Sequence, residues 1–177
     1  MEKNKLGFTL LELLIVMAIL GILAVVIFVI INPAEMLARS RDTGRINAVT
    51  QMGRAVQHYR TTHDNTYPDE LGWGADLTTS AEINTIPAGI AYNMSGTSNC
   101  TTNPLPALTP SFCYDLDGVG GNGALVFSRL ESNLKNEYCT PPEVSYFVFS
   151  TADSRGGLIC SVGDPTPWAT GTVVYVE

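Results

Sequence analysis

From Leu13 to Ile31 the chain runs for 19 residues without a charged side chain, and nearly every residue in the run is apolar. As a helix rising ~1.5 Å per residue, the run covers roughly 29 Å, close to the ~30 Å hydrocarbon layer of a bilayer. It can therefore span a membrane. A cleavable secretory signal has a shorter apolar region of ~7–15 residues that ends in a small-x-small site. Here the run leads instead into Asn32-Pro33-Ala34-Glu35. Lys3 and Lys5 lie just before it, so the positive-inside rule keeps the N-terminus cytoplasmic and sends the C-terminal part of the chain outward.

The other residues, of 177 in all, are rich in Gly, Pro, Ser, Thr and Asn, and suffice for one modest domain beside the anchor. Charge divides them. Between Asn32 and Arg60 five arginines face Glu35 and Asp42, whereas from Thr61 to Glu177 thirteen acids face Arg129, Lys135 and Arg155. An acidic head speaks against non-specific nucleic-acid binding, which draws on Lys and Arg to displace counterions. Cys100, Cys113, Cys139 and Cys160 all fall in this head, and none belongs to a C-x-x-C pair of the zinc or redox kind. Two disulfides are expected, in keeping with an exported head. Of the three possible pairings the local one is favoured, Cys100 with Cys113 and Cys139 with Cys160.

Glu12 is the anomaly, a carboxylate at the very start of the apolar run. An unpaired carboxylate in lipid costs several kcal/mol, so such a residue has a partner, has a function, or sits at headgroup level. Physical chemistry alone leaves these alternatives open.

The segment Lys5-Leu6-Gly7-Phe8-Thr9-Leu10-Leu11-Glu12-Leu13-Leu14-Ile15-Val16 resembles the processing site of type IV prepilins and type II secretion pseudopilins. The resemblance rests on a short basic leader, Gly7 at the cut, Phe8 after it, Glu12 at the fifth position of the mature chain, and an unbroken apolar helix. It implies that a membrane prepilin peptidase cuts between Gly7 and Phe8 and methylates the new amine of Phe8. It also gives Glu12 a partner, the free amine of Phe8 in a neighbouring subunit. Such a pair stabilises both ionised forms, although desolvation offsets much of the gain, so it acts as a register device more than as a source of affinity.

Pro33 removes a helical hydrogen bond and clashes with the preceding turn, which predicts a kink or brief break near Asn32 and Pro33, with Gly21 as a second weak point. Filaments of the resembled kind have a partly unwound stretch in this part of the helix, though Pro33 lies a few residues later than the proline common in pilins. Beyond it Ile46, Val49, Met52, Val56 and Tyr59 recur at helical spacing, with Arg39, Arg41, Arg45, Arg54 and Arg60 among polar neighbours. A helix is expected to about Tyr59, its apolar stripe on a sheet and its arginines toward solvent or other subunits. Thr61 to Leu71 ends it with turn formers around Tyr67-Pro68, and a Tyr-Pro at this place recurs in the resembled proteins.

In the head, Val144 to Ser150 and Leu158 to Val162, separated by Asp153-Ser154-Arg155-Gly156-Gly157, read as an antiparallel hairpin. Thr172 to Val176 is a third strand candidate, and Ala124 to Leu130 reads either as a strand or as the start of a helix. Pilins often close a C-terminal loop much as a Cys139 to Cys160 bridge would.

Other motifs carry less. Gly118-Val119-Gly120-Gly121-Asn122-Gly123 fits G-x-G-x-x-G but lacks the strand and helix of a dinucleotide site, and reads as a surface loop. Asp115 and Asp117 offer too few oxygens for a calcium site and read as a solvated acidic turn. His58 and His63 fit no metal spacing or nucleophile elbow, and Trp73 and Trp168 read as packing residues. Asn93-Met94-Ser95 and Asn99-Cys100-Thr101 match the glycosylation sequon, a frequent chance pattern.

These readings predict an α+β, pilin-like fold in which a long N-terminal helix packs on a small antiparallel β-sheet head. Its expected parts are a cleaved leader (1–7), a helix (8–60, with 8–31 as membrane span and filament core) and a disulfide-stabilised head (61–177). No catalytic constellation, cofactor, metal, nucleic acid or small-molecule ligand is indicated. The resemblance implies a structural subunit of a type IV pilus, held in the inner membrane as a precursor and then placed on the cell surface. Its partners are copies of itself in a helical homopolymer, the prepilin peptidase and a membrane assembly machinery. The alternatives are a type II secretion pseudopilin, or a minor tip pilin acting as adhesin or DNA receptor.

Overall fold

The computed structural model describes residues 7–93, 100–105, 111–116, 123–166 and 173–176. The chain divides into two units, Met1–Leu37 and Ala38–Glu177.

The first unit is built on helix α1, Leu10–Ile31, whose 22 residues are apolar all round apart from Glu12, with none of them buried. It is long and apolar enough to cross a membrane. The helix runs without interruption through Gly21 and stops at Asn32, which adopts the left-handed conformation (φ 43°, ψ 76°) that asparagine tolerates better than most residues. Helix α2, Pro33–Thr62, begins at the next residue. Pro33 thus stands at a first helical position, where its missing N–H has no partner to lose and its fixed φ suits the turn. The Asn32 carbonyl accepts from the N–H of Glu35 (3.1 Å) and of Met36 (3.3 Å), so one residue ends α1 and starts α2.

In the second unit α2 continues to Thr62, three residues past Tyr59. Its buried face is Ala48, Val49, Met52, Ala55 and Val56, with Tyr59 packed at the edge and Ile46 half-buried. Each fully buried Val or Met contributes roughly 1.5–3 kcal/mol of transfer free energy. Gly53 lets this face approach the sheet, since a methyl group there would overlap the Phe149 ring.

The sheet has four antiparallel strands in chain order: β1 Cys113–Leu116, β2 Ala124–Arg129, β3 Val144–Ser150 and β4 Arg155–Ser161. Alternate side chains go to opposite faces. Tyr114, Ala124, Val126 and Phe149 meet α2 together with Trp73, Leu77 and Ile83, while Leu125, Phe127, Tyr146, Val148 and Ile159 form a second cluster with Cys100, Cys113 and Val173. Both faces are covered, so β2 buries five residues in succession. This explains why Ala124 to Leu130 lacks a legible period: the continuous apolar run belongs to a strand buried on both sides.

Two short helices, α3 Trp73–Thr79 and α4 Asn133–Asn136, complete the elements. Cys100 is bonded to Cys113 and Cys139 to Cys160. The hairpin corrects the expected turn. Its loop is Thr151 to Ser154, with Ser154 at φ 54°, and Arg155, Gly156 and Gly157 already belong to β4. The glycines serve close approach instead of turning: a methyl at Gly157 would overlap the Tyr175 ring, and one at Gly156 would press on Phe147. Val176 pairs with Leu158 through a single bridge (N–H to carbonyl, 2.8 Å), so 173–176 touches the edge of β4 without extending the sheet by a strand; Thr172 lies outside the described residues.

Candidate assembly site

The N-terminal site consists of Phe8, Thr9 and Glu12. Thr9 is the N-cap of α1, with extended backbone (φ −79°, ψ 150°), and its hydroxyl accepts from the Glu12 N–H at 3.2 Å. In return Glu12 Oε2 accepts from the Thr9 N–H and from the Thr9 hydroxyl, each at 2.9 Å. This reciprocal capping box satisfies two donors that the first helical turn otherwise leaves open, and places an anion at the positive end of the helix. Its signature, Thr-x-x-Glu ahead of an apolar run, stands in the sequence, hidden there beneath the processing motif that uses the same residues.

The second carboxylate oxygen, Oε1, takes no hydrogen bond among the described residues. One half of the carboxylate is thus engaged within the chain and the other is open to a donor from outside. Phe8 is 81% exposed and precedes the helix, as does Gly7, so the peptide bond between them lies in non-helical backbone.

A second charged group lies on α2. Arg45 and Asp42 are fully buried, contrary to the expectation that these arginines face solvent or neighbours. Arg45 Nη1 donates to Asp42 Oδ1 at 2.8 Å, and Nη2 donates to the carbonyls of Ile90 and Ala91, each at 3.1 Å. The guanidinium lies over the Tyr92 ring, 3.9 Å from its centroid. Asp42 also accepts from the N–H groups of Glu131 (3.0 Å) and Ser132 (2.9 Å). Glu131 accepts from the Asn93 N–H (3.0 Å) and pairs with Arg41.

Together these contacts clip α2 to the 90–93 segment and to the chain after β2. Burial alone would raise the Glu131 carboxyl, but the Asn93 N–H, Arg41 and Arg45 outweigh it and hold the group below its ordinary value. Asp42 and Arg45 are three apart on one helix, a spacing that sequence can suggest, whereas Glu131 arrives from 89 residues away and cannot be found by pattern.

The Tyr-Pro turn has a packing role. Tyr67 takes hydrogen bonds with Arg60 and Thr151, each at 2.9 Å, and the Pro68 carbonyl accepts from the Tyr114 hydroxyl at 3.2 Å. His58 pairs with Glu82, and His63 stacks on Tyr59 with centroids 3.9 Å apart. Trp73 stacks on Tyr114 in the core. Asp115 is pushed up by burial and by the nearby carboxylates of Glu70 and Asp164, partly offset by the Leu116 N–H.

Among the described residues no group of three or more His, Cys, Asp or Glu could hold a metal ion. Asp117, most of the Gly118 to Gly123 stretch, Trp168 and part of each sequon lie outside the described residues.

Residues 3–28 match the family model of the prokaryotic N-terminal methylation motif. The chain therefore carries the prepilin signature shared by type IV pilins and pseudopilins, ahead of a long apolar helix, a second helix and a small antiparallel sheet. No curated protein and no solved structure matches the chain.

Proposed function

We propose that the chain is a structural subunit of a type IV pilus that works by self-assembly. A prepilin peptidase removes residues 1–7, cutting between Gly7 and Phe8, and methylates the amine of Phe8. The processed subunit waits in the inner membrane through residues 8–31. It then enters a helical homopolymer whose core is made of α1 helices and whose outer layer is made of heads spanning 61–177. Gly21 and the Asn32-Pro33 junction are the places where α1 loosens during that passage.

The observation that carries this reading is the half-engaged carboxylate of Glu12 on an entirely exposed apolar helix. Within the chain Thr9 holds Glu12 through Oε2. The open Oε1 suits a new amine, which processing creates on every copy at Phe8. Charge pairing between copies then sets axial register, and helix packing supplies most of the cohesion.

Filament-forming cells that lack the chain provide the test. Loss of surface filaments, with the chain found along their length in wild-type cells, supports a pilus subunit. Intact surface filaments together with failed enzyme export would assign the chain to a secretion pseudopilus instead.

A further inference from the structure

The second unit carries two unlike surface features whose unspent charges match. One is a groove of about 940 Å³ between α2 and residues 81–84, lined by Asn47, Gln51, Arg54, His58, Glu82 and Asn84. Of the α2 arginines, Arg41 and Arg45 are committed to the buried clip and Arg60 to Asn65 and Tyr67. Glu82, in the groove wall, is already held by Thr62 and His58. The Arg54 side chain is exposed and has no hydrogen bond or ion pair among the described residues, and the side chains of Asn47, Gln51 and Asn84 are likewise without a hydrogen bond there. The groove is therefore rich in unspent donors with one free positive charge.

The other feature is the knuckle that comes after α4. The Glu137 side chain is exposed without a hydrogen-bond or ion-pair partner among the described residues, and Tyr138 beside it is 57% exposed. Cys139, the next residue, is bonded to Cys160 on β4, so the pair is displayed from a braced backbone. An exposed tyrosine on a rigid support is a residue that interfaces favour.

We propose that the groove receives the Glu137-Tyr138 knuckle of a second copy of this chain, with Glu137 meeting Arg54 and the groove amides bonding the knuckle backbone. The inference rests on the filament reading and names one contact within it. Two unlike patches that join head to tail make a heterologous interface, and such an interface extends into an open helix when its rotation does not close. Charge complementarity fixes which copies meet and in what register.

The test uses the full-length chain in cells that carry the assembly machinery. Arg54→Glu and Glu137→Arg are each expected to lower the yield of sheared filaments at least roughly tenfold, because like charges then face each other. The double variant is expected to recover most of the yield, and the amount of processed chain in the membrane stays at the wild-type level throughout. A photo-reactive residue in place of Gln51, in otherwise wild-type filaments, is expected to form an adduct between two copies at the peptide that contains Tyr138. Full yield from both single variants, no recovery in the double variant, or an adduct to another protein or another peptide would overturn the inference. The photo-adduct is read within filaments that contain the chain, so its failure is distinct from failure of the filament reading, which is marked by absence of the chain from all filaments.

Discussion

Glu12 accepts two hydrogen bonds from Thr9 through a single oxygen, and its other oxygen is left open. In the proposed assembly this pair is a holding state. Thr9→Val keeps size and backbone N–H but removes the hydroxyl, which costs the helix start about 1 kcal/mol. Filament yield is expected to fall severalfold, with Thr9→Ser close to wild type. Glu12→Ala removes both the inner and the outer contact and is expected to abolish filaments while cleavage before Phe8 continues. Filament counts beside immunoblots that resolve precursor from processed chain check both outcomes.

Arg45 is expected to be the most sensitive charged residue of the second unit. Arg45→Ala leaves Asp42 and Glu131 buried without their shared cation, and removing one partner of a buried ion pair costs roughly 3–5 kcal/mol. The full-length variant in detergent should lose its near-ultraviolet circular dichroism well below the wild-type melting temperature. A melt matching that of the wild type would show that the clip is dispensable.

Gly53→Ala tests the approach of α2 to β3. Helix propensity alone favours Ala over Gly by up to ~1 kcal/mol. The Phe149 ring occupies the space of the new methyl, and such overpacking costs about 1–3 kcal/mol, so the net effect is destabilising. Gly163 has open space around the same position and serves as the control. Denaturant midpoints of the two alanine variants should separate accordingly.

Acid stability depends on two carboxyls of opposite sign. Glu131 titrates below its ordinary value of 4.5 in the folded head. Its stabilisation is therefore complete above that value and is lost as the pH falls through the lower folded value. Asp115 titrates above its ordinary 3.8, so ionising it works against the fold, and the stability it lends at low pH is lost as the pH rises through its folded value. Glu131→Gln is expected to destabilise the head at neutral pH and to flatten its acid limb, whereas Asp115→Asn is expected to stabilise it at neutral pH. Melting temperatures across the range from about pH 3 to about pH 7 measure both.

The parts legible in the sequence were those whose cause is local. The apolar run of α1, the Asn32-Pro33 junction and the Val144 to Ser150 strand each declare themselves within a few residues. β1 is not legible in the sequence because Cys-Tyr-Asp-Leu is too short to show a period, although its Tyr114 is a strand former. Gly156 and Gly157 look like turn residues because sequence cannot show the Tyr175 and Phe147 rings that lie against them. Arg45 looks like a surface residue for the same reason, since the carboxylate of Glu131 and the carbonyls of Ile90 and Ala91 come from distant stretches. Of the candidate assembly site, Glu12 stands out in the sequence as a misplaced charge, while its bond to Thr9 depends on the backbone geometry at the helix start.

In the proposed assembly, cleavage before Phe8 makes the amine that Glu12 of another copy receives, and the proposal turns on that step. Mass spectrometry of filaments sheared from cells tests it most directly. The expected result is a chain that begins with N-methylated Phe8, lacks residues 1–7 and is abundant in the filament fraction. A chain that retains Met1 and is confined to the membrane fraction would contradict it.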